Sequence, residues 1–275
     1  NAGSQGFPGF QPVDETDKSR DATALYLDAE LKPSERFLVA AAVRGEDYSD
    51  FGSTVNGKLA LGYRLAGDFH LRGSASTGFR APSLHQRYFS STFTDFIAGE
   101  AADVKLAPNG SELAVLVGIP SLIEETSSNI SLGFAWQPKP NIETTLDAYV
   151  VDIDDRIIIT GGFTADDPDI GHIIAEQGLA EARFFTNAID TRTTGVDFTF
   201  SHGTRVGTGL LNTIVALNYN ENEVRNVNTA PGLEGKEDVY FSQRERMFVI
   251  GAAPDFKGTV SGNYSLEKWS FGGRL

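Results

Sequence analysis

Four histidines, a run of aspartates, a pair of strand-end carboxylates and a set of loop aromatics are the residues of this chain whose types could do chemistry. His70, His85, His172 and His202 fall on separate segments, with no Glu or second His at ligand spacing, so no metal centre is expected from them. "TADDPDIG" (164–171) offers Asp166, Asp167 and Asp169 to a hard cation, yet it lacks the EF-hand spacing and the distal Glu, and a solvated loop is the better reading. "DIDDR" (152–156) pairs carboxylates as acid–base chemistry would need. It closes a strand, however, and Arg156 is at hand to neutralise its neighbours. No G-x-S-x-G elbow is present, and "GTGLLN" (207–212) reads as a turn into a strand. The expectation is a protein that is not an enzyme and needs no cofactor.

Binding is better represented. In "YFSSTFTDF" (88–96), Phe89, Phe93 and Phe96 alternate with Ser, Thr and Asp; such rings either order their own loop or stack on a ligand. Arg64, Arg72 and Arg80 share the polar side of three strand-like runs. They suit an anionic substrate, or they offset carboxylates such as Glu143, Asp147 and Asp197.

The elements that must position these groups have a period of two. Phe69, Leu71, Ala75 and Phe79 oppose His70, Arg72, Ser74, Ser76 and Arg80. The same alternation runs through 55–65, 128–137, 196–201 and 268–275, and less cleanly through 23–31, 36–46, 142–153, 209–220 and 257–266. About ten strands result, longer than the globular norm of about 5–6 residues. "DIGHIIAEQGLAEARFF" (169–185) has room for one short helix inside a loop. Short connections at 32–35, 66–68, 138–141, 203–207 and 267–268 alternate with longer ones at 47–53, 80–126, 155–185 and 221–256. In an up-and-down antiparallel sheet that places every tight turn at one end and every long loop at the other. Loops beyond about 12–15 residues are uncommon and usually functional. Pattern alone therefore predicts an all-β antiparallel meander, part of a transmembrane barrel wall with an apolar face toward lipid.

Composition agrees. The 275 residues include 29 Gly, 19 Phe and no Cys, and carry a formal charge of -14. That charge argues against nucleic acid, and the missing thiols exclude disulfides and thiolate metal sites. The opening "NAGSQG" has no initiating Met and reads as the edge of an excised piece.

"LRGSASTGFRAPSLHQRY" (71–88) resembles the barrel domain of TonB-dependent outer-membrane receptors, in which an outward strand ends in a similar "GFRAP" segment. "EDYSDFGSTVNGKLALGYRL" (46–65), "DAYVVDIDDRIIIT" (147–160), "NAIDTRTTGVDFTF" (187–200) and "APDFKGTVSGNYSL" (253–266) fall where that family would put them. Residues 1–275 then form one partial barrel domain, under half of a complete barrel of about 22 strands, with outer loops at 80–126, 155–185 and 221–256. Nothing resembles the plug domain or its TonB-contacting box, and the final strands of the family are missing after "WSFGGRL". The resemblance implies a Gram-negative outer-membrane location and TonB-energised uptake of a scarce nutrient of siderophore, cobalamin or glycan type. Its partners would be a metal chelate or oligosaccharide, a plug domain of the same parent chain, TonB and outer-membrane lipid. A soluble all-β binding module and a passive porin-like barrel are the alternatives. Because binding residues concentrate on loops, the candidate contacts are Arg80, His85, Arg87, Tyr88, Phe89, Phe93, Phe96, His172, Tyr240 and Arg244.

Overall fold

The computed structural model describes residues 12–97, 100–251 and 253–275; the opening "NAGSQG" lies outside them. In chain order the strands are β1 (Ala22–Ser34), β2 (Phe37–Tyr48), β3 (Gly52–Ala66), β4 (Phe69–Arg80), β5 (Ser91–Ile97), β6 (Glu100–Ala107), β7 (Glu125–Lys139), β8 (Ile142–Ile159), β9 (Phe163–Thr164), β10 (Glu181–Val206), β11 (Gly209–Val227), β12 (Phe256–Leu266) and β13 (Trp269–Arg274). Five short helices punctuate the loops: α1 (Leu84–Tyr88), α2 (Glu112–Val117), α3 (Gly171–Glu176), α4 (Glu237–Tyr240) and α5 (Gln243–Ile250). The wall runs β1-β2-β3-β4-β7-β8-β10-β11-β12-β13, with β5, β6 and β9 off this path. The ten strands and the short-turn, long-loop alternation expected from the sequence are both present.

Register explains the face pattern. One row across the sheet reads Leu31, Val39, Leu61, Gly73, Leu132, Ala148, Val196, Tyr219, Phe256. The adjacent row reads Glu30, Ala40, Ala60, Ser74, Ser131, Tyr149, Gly195, Asn220. Side chains of neighbouring rows point to opposite faces, so over this stretch one face is apolar and the other largely polar. The apolar one is not covered by protein: Leu25 is 81% exposed, Val55 73% and Leu132 67%. From Ile130 to Trp136 on β7 it covers roughly 20 Å along the strand, near the apolar height of outer-membrane barrels. Above Ile130 the outward side turns ionic, where Asp152 takes Arg192 at 2.7 Å and Arg225 at 3.2 Å.

Glycines on the polar face let long side chains cross a strand. Arg72 on β4 forks onto Asp147 on β8, with Nε 2.7 Å from Oδ1, passing over Gly133 of β7. A Cβ at Gly133 would fall on the Asp147 carboxylate. Tyr149 lies over Gly195 in the same way. On β11, Asn218, Asn220 and Asn222 form a hydrogen-bonded row of amides along the polar face.

The buried core sits outside the wall, where three loops gather around the start of β10. β6 pairs parallel with Glu181–Phe184 on one side, and β9 pairs with Glu181 and Ala182 on the other. Phe163, Phe184, Tyr240 and Phe241 are all within 1% of complete burial, with Leu113, Ala114 and Val117 of α2 packed into the same cluster. The Phe163 ring lies 6.1 Å from Phe184 and 5.8 Å from Tyr240. We call this assembly the cap. Two expected loops are shorter than the alternation implied, because β8, β10 and β11 continue past it: 155–185 contracts to 160–180, and 221–256 to 228–255. A ladder needs only backbone N–H and C=O, so it continues where the side-chain pattern has lapsed.

Candidate functional site

The end of β4 is fixed by local chemistry. Pro82 has no N–H to continue a ladder, and Ser83 and Gln86 exchange hydrogen bonds as a capping box that starts α1 (3.0 and 2.9 Å). Arg20 forks onto Asp50 at 2.8 and 2.6 Å and donates to the Pro82 carbonyl at 2.6 Å. Arg87 donates to the Asp50 carbonyl at 2.6 Å. The "GFRAP" turn is thereby clamped to the β2–β3 turn by two arginines around one carboxylate.

Inside this rim a concavity of about 460 Å³ opens on the polar face beneath α5, lined by Arg80, Glu125, Ile153, Arg156, Ile157 and Val249 among others. Arg80 Nε donates to Glu125 at 2.7 Å, and its Nη2 completes the fork. Glu125 is buried and also accepts the Ile157 N–H at 2.7 Å, so both its oxygens have partners. Two guanidinium groups against one carboxylate leave this lining with a single net positive charge, in a chain that is strongly acidic overall. Its volume suits a small-molecule ligand.

The other candidate residues do not converge on it. His85 stacks on Phe89 at 4.2 Å between centroids and meets the edge of Phe185 at 6.3 Å. Tyr88 lies between Lys18 and Arg87, each 5.7 Å from its ring. Phe93 is half-buried on β5, Phe96 is exposed, His172 is exposed in the first turn of α3, and Arg244 is exposed on α5. Tyr240 is the clearest departure: it is completely buried in the cap core, where its hydroxyl accepts the Ala230 N–H at 3.1 Å. Burial holds its pKa up at about 12, against a smaller opposing effect from the Ala230 N–H. It is a structural residue of the cap.

Three sequence expectations change at the level of ion pairs. Arg72 and Arg80 do offset carboxylates, but Arg80 takes Glu125, which alternation had not singled out. Asp197 accepts from Asn218 at 2.6 Å instead of an arginine. Asp152 is neutralised by Arg192 and Arg225 from the next strands, so the role expected of Arg156 is already filled. The aspartates of 164–171 serve as a loop tie: Lys236 Nζ sits 2.8 Å from Asp167 and 2.9 Å from Asp169. Among the described residues no cluster of three potential metal ligands forms.

An open antiparallel wall with an exposed apolar outer face, a polar inner face and a cored cap over one end has the architecture of an outer-membrane β-barrel wall. The sequence model of the TonB dependent receptor-like β-barrel matches residues 1–275, and the chain belongs to that family. It is 32% identical over 74 residues to the vitamin B12 transporter BtuB of Vibrio cholerae serotype O1, covering 27% of this chain and 12% of that one. Against BtuB of Photobacterium profundum it is 27% identical over 155 residues, covering 52% and 24% respectively. Among solved structures, the siderophore receptor PirA from Pseudomonas aeruginosa superposes with a TM-score of 0.55 at 14% identity, covering 92% of this chain and 41% of that one. The RagAB peptide transporter gives 0.62 at 12% identity, covering 93% and 33%. The copper transporter OprC gives 0.58 at 14%, covering 93% and 34%. At these identities the structures share the fold, and the chain spans under half the length of every one of these relatives.

Proposed function

We propose that this chain is the ligand-gathering sector of an outer-membrane receptor that captures a scarce nutrient outside the cell for TonB-energised uptake. The observation that carries the proposal is the asymmetry of the two ends: tight turns at one, and at the other three long loops fused into a cap with its own hydrophobic core. A passive channel has no need of so ordered a cover, and a soluble sandwich would bury the apolar face left open here. Plug and TonB enter as partners through the family, and a chelate or an oligosaccharide is the class of cargo. Arg80 and the rim residues of α1 border the path such a cargo would take.

Cysteine accessibility in the full-length parent, in a cysteine-free background, tests this directly. One Cys replaces Gln243 on the cap and, separately, one replaces Lys139 beside a tight turn; both positions are exposed. In intact Gram-negative cells a membrane-impermeant maleimide should label Gln243→Cys and spare Lys139→Cys. Equal labelling, or a parent recovered in the soluble fraction, would overturn the proposal and favour the soluble module.

A further inference from the structure

From the geometry around Arg156 we infer an anchor for a carboxylate-bearing, otherwise apolar ligand; the inference rests on the receptor reading and names the chemistry of its cargo. Simple alternation puts Arg156 on the outward face with Asp152 and Asp154. The ladder departs from alternation here. Thr191 pairs with Ile153, yet Ile189 pairs with Arg156, so β8 spends three residues where β10 spends two. This is a bulge, and Asp155 within it takes a left-handed conformation with φ of 56°, one that Asp tolerates better than most non-glycine residues and that fixed hydrogen-bonding surroundings can hold.

Its surroundings do. Asp190 of β10 accepts the Asp155 N–H at 3.0 Å, and Asn187 donates to the Asp155 carbonyl at 2.6 Å. The phase shift re-aims Arg156 from the outward face into the concavity, the use to which bulges beside binding sites are put. There it differs from the other arginines of this region. Arg72, Arg80, Arg192 and Arg225 each have a carboxylate within 4 Å, whereas among the described residues Arg156 has none.

The concavity supplies the rest of the recognition. Ile153, Ile157, Ile158 and Val249 give it apolar walls, and the Arg80–Glu125 pair is internally neutral. One unmatched guanidinium in such a lining fits a singly charged, planar carboxylate, which it grips with two parallel N–H donors. A dianionic group would leave charge uncompensated.

The full-length parent in detergent is titrated with 2-naphthoate and with its neutral counterpart 2-naphthamide, and binding is read by saturation-transfer NMR. Naphthoate should bind, with naphthamide about tenfold weaker; Arg156→Gln should weaken naphthoate by about tenfold, and Arg156→Lys by less, since it keeps the charge and loses the fork. Equal affinity for the acid and the amide would overturn the inference, as would naphthoate affinity unchanged in Arg156→Gln. Absence of naphthoate binding to the wild type would also overturn it. Should Arg156→Gln fail to fold, the acid–amide comparison and Arg156→Lys still decide. Cell-surface labelling at Gln243 reports on the receptor reading separately, so a failed titration on a correctly placed barrel removes the anion anchor alone.

Discussion

The wall and the cap are built from one continuous chain and solve opposite problems. In the wall, strands β1 to β4 leave Leu, Val and Tyr side chains exposed on one face, and the protein buries almost none of them. Stability there comes from a nearly continuous ladder of backbone hydrogen bonds, whose register shifts fall near the strand ends, as a low-dielectric surround requires. In the cap the ladder is patchy and the side chains carry the structure: Phe163, Phe184, Ile174, Ile189 and Tyr240 are fully buried. The same strand, β10, belongs to both regions, its first residues packed into the cap and its remainder lining the wall. Hydrophobic residues are thus used twice, outward for lipid below and inward for a water-facing core above, and the environment they meet sets their orientation.

That contrast predicts unequal sensitivity to truncation. Phe184→Ala leaves a large void in the cap core and should cost about 3–5 kcal/mol, read as loss of loop protection from trypsin in the folded parent. Leu132→Ala, on the exposed lipid-side face, should leave the protease pattern and the heat-modifiable band unchanged. Comparable losses at both sites would erase the distinction between a cored cap and a lipid-solvated wall.

A glycine in the wall should behave in the opposite sense to a core residue, failing on addition. Gly133→Val introduces bulk where Arg72 crosses to Asp147, and should cost about 1–3 kcal/mol of overpacking, seen as a lower midpoint in urea with the cap still protease-resistant. Asp147→Ala in the same background should recover part of the loss, because it removes the group the new side chain strikes.

The smallest effect sharpens the picture of the cap itself. Tyr240→Phe leaves the Ala230 N–H without its acceptor and should cost about 1–2 kcal/mol. Tyr240 has its pKa raised by burial from 10.0 to about 12. The stability this group contributes is therefore fully present below pH 10 and is lost as pH rises through about 12. Cap loops should become protease-sensitive across that interval in the wild type, and the dependence should be absent in Tyr240→Phe. A wild-type profile that is flat through pH 12 would show that the cap does not exclude water from this ring.

The fold class was legible because alternation with period two is a local property, and each strand announced its own faces; Leu59, Leu61 and Tyr63 on β3 needed no partner to be assigned. The rim was legible for a similar reason, since Pro82 and the Ser83–Gln86 box are short-range signals. The candidate contacts were legible only as a neighbourhood. Arg80 does line the concavity, but Tyr240 resembled a loop aromatic and is a core residue, since nothing within a few positions of it shows that Phe163 will pack against its ring. Glu125 was invisible as a partner for Arg80 because the pairing depends on β4 meeting β7 across a loop of more than forty residues.

Sequence by itself determined a meander of long strands with one apolar and one polar face, its short turns gathered at one end and its long loops at the other. Those features arise from the pleat and from glycine and proline chemistry, which act within a few residues. Tertiary structure decided which charges are spent and which are free. Asp152 is taken by arginines from β10 and β11, Glu125 by Arg80, and a bulge at Asp155, followed by a compensating one at Ala188 of β10, turns Arg156 from the outward face into the concavity. The physical reason is that register belongs to pairs of strands: an inserted residue changes the facing of its neighbours until an opposite shift restores the register, and no strand carries that information alone.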